Sequence, residues 1–318
     1  MKLVDIINED KNSKIIKFLG LKVYSKEVNL DRVKEKWILG VFKKKKDSQR
    51  KRYYFLGIKF YEKNYPFNMH SIAAIVKNET KAAIMVSNLH QKVFPQFKNI
   101  HCNKDVVIVA TGPTLKNYKP IKDAVHIGVN RAFQAKNFKI NYLFTIDWRV
   151  VQDYVDELQN YDCVKFCGQH SNPDFEVLSR ELVSCHIPES VVHRLGAYRY
   201  YSNTFDNKIF NDISSCPLMD FGSAIFPAIH FALYTNPRKL YLVGCDCTLG
   251  GYWDGREQKI KNEWLMNTTI KGYEKIKRFA LAYYPETEII SVNPVNLRGM
   301  FKDLDQTKEE CVYAKNNN

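Results

Sequence analysis

From Asp105 onward the chain carries short, uninterrupted runs of β-branched and aromatic residues, most of them followed by a polar or glycine-containing stretch. The runs are Val106-Val107-Ile108-Val109-Ala110, Val125-His126-Ile127-Gly128-Val129, Tyr142-Leu143-Phe144-Thr145-Ile146, Cys163-Val164-Lys165-Phe166-Cys167, Lys239-Leu240-Tyr241-Leu242-Val243 and Glu288-Ile289-Ile290-Ser291-Val292. A strand exposed on one face alternates apolar with polar, so a continuous apolar run marks a strand buried on both. Stretches with helical spacing fall between several runs. Residues 148–160 form one, opened by Asp147 as an acidic cap. Residues 223–235 are small and apolar on all sides, which reads as a buried helix. Residues 268–284 place Ile270, Tyr273, Ile276, Lys277 and Leu281 at helical intervals. Strands alternating with helices predict an α/β domain over residues 104–305, a doubly wound, mostly parallel, Rossmann-like sheet.

The first 103 residues read differently. Phe18-Leu19-Gly20-Leu21-Lys22-Val23-Tyr24 recurs as Phe55-Leu56-Gly57-Ile58-Lys59-Phe60-Tyr61, with a weaker copy at Ile38-Leu39-Gly40-Val41-Phe42-Lys43. Between Lys14 and Lys63 there are 16 Lys/Arg against 5 Asp/Glu, a net +11 out of +14 for the whole chain. Residues 1–65 therefore form a small basic, aromatic-rich appendage. Two uses remain open for it: contact with an anionic membrane surface through aromatics beside lysines, or self-pairing of short strands. Residues 66–103 read as a helical connector and 306–318 as a flexible tail.

No run of about 18 apolar residues suggests a membrane-spanning helix, and the opening MKLVDIINEDKNSK lacks the apolar core of a secretory signal. The expected location is the cytoplasm, with residues 14–63 available for peripheral contact at the inner face of the cytoplasmic membrane. The eight cysteines show no paired spacing of a zinc site and read as reduced, buried thiols.

In a doubly wound sheet ligands bind beyond the carboxyl ends of the strands, at the switch in strand order. The residues after each run are thus the candidate site. Thr111-Gly112-Pro113-Thr114 follows the first, with a sharp turn, backbone amides and two hydroxyls suited to phosphate or ribose. Asn130 and Arg131 follow the second; the amide suits a base or sugar, the guanidinium a phosphate. Asp147 follows the third, His170 the fourth, and Asp246 the run ending at Val243. Gly222 and Ser223 offer amides at the start of the buried helix. Neither a dinucleotide-binding nor a Walker glycine pattern occurs, and no Asp-x-Asp follows a strand, so no metal site and no cofactor are expected. Proton transfer from an acceptor hydroxyl needs a base. Asp254, His170, Asp246 and Glu257 are the candidates, with residues 249–255 (LGGYWDG) as a mobile aromatic loop that could carry Asp254 over a bound sugar.

Four blocks in consistent order, VVIVATGPTL from Val106, GVNRAF from Gly128, FGSAIFPAIHFA from Phe221 and KLYLVGCD from Lys239, resemble the bacterial sialyltransferases that modify lipooligosaccharide. They are also similar to the related flagellin-modifying nonulosonic-acid transferases. The resemblance spans residues 104–300. It implies a metal-independent, inverting transfer from a CMP-sugar donor. It also implies donor contacts at Thr111, Gly112, Pro113, Thr114, Asn130, Asp147 and the Gly222-Ser223 turn, with Gly244 and Asp246 matching a later strand end. The sequence departs from the family at residues 262–267, where the family's histidine is absent, and at Met219-Asp220, where its arginine is absent. A nucleotide-sugar donor and a glycan or glycolipid acceptor are the expected partners. A pterin-type pyrophosphokinase and a nucleic-acid-binding protein are the competing readings. The first lacks a carboxylate pair for magnesium. The second fits the basic segment, but the Leu-Gly echoes favour an apolar surface over a phosphate track, so no nucleic-acid partner is expected.

Overall fold

The computed structural model describes residues 4–10, 13–18, 21–29, 32–37, 42–47, 50–56, 58–64, 80, 83–170, 187–203, 209–257 and 263–306. Residues 66–79 and 81–82 of the connector expected over 66–103, the polar pair Ser171-Asn172, the tail from 307 and the side chain of His170 lie outside them. The chain divides into two compact units, 1–80 and 81–318.

The first unit is a seven-stranded antiparallel meander whose strands pair in chain order. Its strands are β1 (Val4–Asp10), β2 (Ser13–Phe18), β3 (Leu21–Asn29), β4 (Arg32–Trp37), β5 (Phe42–Asp47), β6 (Arg50–Phe55) and β7 (Ile58–Asn64). The sequence echo acquires a structural meaning here. Phe18 pairs with Leu21 and Phe55 with Ile58, so Leu19-Gly20 and Leu56-Gly57 each fall between two antiparallel strands. Leu56 itself has φ +48°, as a tight hairpin connection demands. Of the two uses left open for this segment, strand self-pairing is what its backbone adopts.

The second unit is an α/β sheet of nine strands, in which every pairing is parallel. Its strands are β8 (Asp105–Val109), β9 (Val125–Val129), β10 (Tyr142–Thr145), β11 (Val164–His170), β12 (Tyr198–Asn203), β13 (Leu218–Met219), β14 (Lys239–Val243), β15 (Glu288–Val292) and β16 (Lys302–Leu304). The order is β13-β12-β11-β10-β9-β8-β14-β15-β16. From β8 the chain builds outward to β13, then returns to the other side of β8 as β14. The switch in order therefore lies between β8 and β14. The Rossmann-like, doubly wound reading holds.

Two-sided burial explains the continuous runs. Val106 and Ile108 enter one apolar layer, Val107 and Val109 the other, and all four are fully buried. The first layer holds helix α5 (Ile225–Tyr234), in which all ten residues are buried, and helix α6 (Glu263–Tyr283), which begins earlier than its spacing predicts. Phe231 of α5 packs among Phe97, Phe144 and Phe166 with ring centroids 5.1 to 5.3 Å apart. The helix expected over 148–160 is two short ones, α2 (Trp148–Asp153) and α3 (Val155–Asn160), because Tyr154 leaves the helical region at φ −131°, ψ 23°. Residues 83–93 form α1 and Glu189–Arg194 form α4.

Two buried histidines tie this layer together. His90 of α1 donates from Nδ1 to the carbonyls of Ile213 and Cys216, both at 2.9 Å, while its Nε2 accepts from the Tyr201 amide at 2.8 Å. His230 of α5 donates from Nε2 to the Phe210 carbonyl at 2.6 Å and accepts at Nδ1 from the Met219 amide at 3.1 Å. Each ring must stay neutral, since a second ring proton would face a backbone N–H. Burial accordingly lowers both pKa values from 6.5 to about 4. The unfolded chain therefore binds these protons first. Stability is complete above about pH 6.5 and falls with acidification toward pH 4, by about 1.4 kcal/mol per pH unit per histidine. The expected result is a melting temperature that drops steadily from about pH 6.5 to pH 5; a flat profile would contradict the neutral assignment.

Candidate functional site

The loops after β8 and β14 meet at the switch point. The Ala110 amide donates to the Val243 carbonyl and the Gly112 amide to the Gly244 carbonyl, both at 2.9 Å. The backbones lie so close that a side chain at either glycine would collide. A Cβ at Gly112 would sit 2.5 Å from Asp246 Oδ2, and one at Gly244, where φ is +66°, 2.7 Å from the Ala110 carbonyl. Asp246 completes the junction. Its Oδ2 accepts from the Thr114 amide at 2.8 Å and its Oδ1 from the Thr114 hydroxyl. Burial raises the Asp246 pKa, against the lowering effect of the two Thr114 bonds.

Above this junction opens a cavity of about 200 Å³. Thr111, Gly112 and Pro113 form one wall; Gly222, Ser223 and Ile225 another; Gly244 to Leu249 with Gly251 and Tyr252 a third; and Leu265, Met266, Thr269 and Tyr273 of α6 close it. Seven of the residues singled out in the sequence thus share one cavity: Thr111, Gly112, Pro113, Gly222, Ser223, Gly244 and Asp246. Thr114 is not on its wall and supports it from behind through Asp246. The α6 contribution was missed, because the spacing of Tyr273 reads as ordinary helix core. Tyr273 does pack into the apolar layer while also lining the cavity. Cys245 and Cys247 line it too, but burial pushes the Cys247 thiol up to about 12 and Cys245 higher, so both are neutral thiols rather than nucleophiles. Among the described residues no cluster of three His, Cys, Asp or Glu is arranged to hold a metal ion.

Several expected roles are altered by what the side chains touch. The amides of Gly222 and Ser223, read as an anion site, both donate to Asp220 Oδ1, at 2.7 and 3.1 Å. Asp220 is buried and occupies the place an anion would take at these two groups. Asp147 caps α2, accepting from the Arg149 amide at 3.0 Å, and does not line the cavity. Asn130, in the left-handed region at φ +49°, accepts from the Thr145 hydroxyl at 3.1 Å across the ends of β9 and β10.

Arg131 is not free for a phosphate. Its Nη1 lies 3.1 Å from Asp254 Oδ2, and its guanidinium sits 4.5 Å from the centre of the Tyr252 ring. Arg256 grips the other side of Asp254, through its own amide at 3.2 Å and Nε at 2.8 Å, and reaches Gln134 and Tyr154 as well. The Trp253 amide donates to the Thr111 carbonyl at 3.1 Å. The loop expected to be mobile is therefore pinned over the first turn by a clasp of two arginines and one carboxylate. Burial alone would raise the Asp254 pKa, but Arg256 and Arg131 outweigh it, and the carboxyl is held below its usual range. A carboxylate clasped in this way is a weak proton acceptor. Glu257 is exposed and does not line the cavity.

The Gly112–Asp246 junction makes a direct prediction. Gly112→Ala must push the two turns apart, and Asp246→Asn cannot accept from both Thr114 donors. Each should cost about 1–3 kcal/mol, lowering the melting temperature by about 2–10 °C. Unchanged melting in both variants would show that the turns do not depend on this contact.

No protein-family model matches the chain, and no curated protein does. Among solved structures it is similar to the sialyltransferase CstII of Campylobacter jejuni, determined in complex with the substrate analogue CMP-3FNeuAc. The TM-score is 0.37 at 13% identity, over 63% of this chain and 86% of that one. So distant a likeness adds nothing to the reading of the site, which rests on its own residues.

Proposed function

We propose that the chain is a glycosyltransferase that moves a sugar from a CMP-activated donor, of the sialic-acid-like nonulosonic class, to a bacterial surface glycan or glycolipid. The observation that carries this reading is the junction at the switch point, where two strand ends are drawn together under a cavity that takes in both turns. That is where an open α/β sheet binds a nucleotide. The hydroxyls of Thr111, Ser223 and Thr248 and the backbone of the Thr111-Gly112-Pro113 turn are the groups at hand for the phosphate and ribose. The aromatic loop pinned over Thr111 would keep water from the donor carbon.

In the transfer, an acceptor hydroxyl oxygen forms a bond to the anomeric carbon while the bond from that carbon to the phosphate oxygen breaks. CMP leaves with the electron pair, and the hydroxyl proton passes to a base. Of the four groups first considered for that proton, Asp246 is held by Thr114, Asp254 by two arginines, and Glu257 is exposed and off the cavity wall. We assign the role to His170 because an imidazole is the base suited to neutral pH; β11, which it ends, stands three strands from β8, so the acceptor would have to reach across the ends of β9 and β10. Asp254 is assigned to holding the loop closed, and the site is expected to need no metal or cofactor. A cytoplasmic enzyme working at the inner face of the membrane fits such an acceptor.

CMP should raise the melting temperature more than UDP, ATP or a pterin at equal concentration. Stabilisation by ATP with pterin, or by none of them, would overturn the donor assignment. His170→Ala should lower kcat by about 100-fold or more with CMP binding intact. Asp254→Asn should instead raise KM for the donor. Full turnover by the His170 variant would remove that residue from the mechanism.

A further inference from the structure

We infer that one end of the antiparallel meander docks on an anionic lipid surface, dipping its apolar tip among the headgroups while a collar of lysines meets the lipid phosphates. The register of β4 to β7 sorts the residues by distance from the tip. Trp37 pairs with Phe42, Phe42 with Phe55, and Phe55 with Ile58, an apolar row at the ends joined by the Leu-Gly connections. The next row is Lys36, Lys43, Tyr54 and Lys59. Behind it stand Glu35, Lys44, Tyr53 and Tyr61, then Lys34, Lys45, Arg52 and Glu62. Strand residues rise about 3.4 Å each, so the change from apolar to cationic takes place within the depth of a headgroup layer.

The tip is open to solvent. Phe42 is 42% exposed, Phe55 43%, Leu56 67%, Ile58 73% and Phe60 60%. The Phe42 and Phe55 rings pack together at 4.9 Å, a contact that leaves most of this surface in water. Behind it, Lys43 and Lys45 lie over the Tyr54 ring at 5.7 and 5.5 Å, and Lys51 over Tyr53 at 5.1 Å. This is the amphipathic packing that sets rings at an interface and carries ammonium groups outward. Clustered lysines alone would suit nucleic acid equally well. The exposed apolar tip decides for a bilayer, since a phosphate track gives large aliphatic groups nothing to bury against. The inference concerns the first unit only and does not depend on the donor reading.

The test is flotation of the full-length protein with mixed phosphatidylglycerol–phosphatidylcholine vesicles and with phosphatidylcholine vesicles alone. Binding is expected to the mixed vesicles and to be weaker by about tenfold or more on the neutral ones. Phe55→Ser with Ile58→Ser removes two apolar side chains of the tip and leaves the charge unchanged. It should cut binding about tenfold, as should Lys43→Gln, Lys44→Gln and Lys45→Gln together. In the unaltered protein, amides of residues 42–61 should gain hydrogen-exchange protection when vesicles are added, a readout that needs no variant to fold. Equal binding to neutral vesicles, no loss in the Phe55/Ile58 variant, or duplex DNA displacing the vesicles with that variant unaffected would each overturn the inference. So would a dimer in solution that the Ile58 change dissolves, with no vesicle binding. Retained CMP stabilisation in every vesicle-binding variant is expected and separates this outcome from failure of the donor site.

Discussion

The candidate site hangs on the hydrogen bonds between Thr114 and Asp246. Two loops more than a hundred residues apart in sequence are brought into backbone contact, and the buried carboxylate is what holds them there. The burial that raises its pKa also strengthens its bonds to the Thr114 amide and hydroxyl. Small side chains follow from this contact: Gly112 and Gly244 are required because nothing larger fits between the turns. The cavity lies directly above and inherits its rigidity from below. A ligand held there would be positioned by backbone that cannot move without breaking the buried Thr114–Asp246 hydrogen bonds.

The fold was legible where burial on both faces left the sequence no choice. β14 and β15 match their apolar runs residue for residue, and β8 begins one residue earlier. The strands that escaped notice obey other rules. β12, Tyr-Arg-Tyr-Tyr-Ser-Asn, reads as polar, yet Arg199 is buried by pairing with Glu189 at 2.6 Å and with the Ile187 carbonyl at 2.8 Å. β13 has two residues and β16 is Lys-Asp-Leu, each completed by pairing with a neighbour rather than by its own hydrophobicity. In the first unit the repeated Leu-Gly was visible, but as a repeated word without grammar. Only the register shows that it separates one strand from the next.

The site divides along similar lines. That the loops after β8 and β14 meet follows from the switch in strand order, whereas the loops after β9 and β10, expected at the same place, leave Asn130 and Asp147 off the cavity wall. What each side chain would do there was not readable. Arg131 and Asp254 are separated by 123 positions, and no local pattern announces that they neutralise each other. Asp220 taking up the Gly222 and Ser223 amides is a local event that sequence reading missed. A helix start after a glycine signals free amides, and the aspartate two residues earlier was the sign that they would be occupied. The wall supplied by α6 was hidden for a different reason: a residue such as Tyr273 can belong to the core and to a cavity at once.

The alternation of connections in the meander bears on how such a unit can vary. The strand ends joined by Leu-Gly links lie at one end of the sheet, and those joined by the intervening links at the opposite end. A gain or loss of one strand would send the polypeptide out on the wrong side and turn every later strand around. A gain or loss of two leaves direction, facing and exit unchanged. The sheet is thus free to lengthen or shorten between related chains only in whole hairpins, each carrying one more or one fewer greasy link on the same rim.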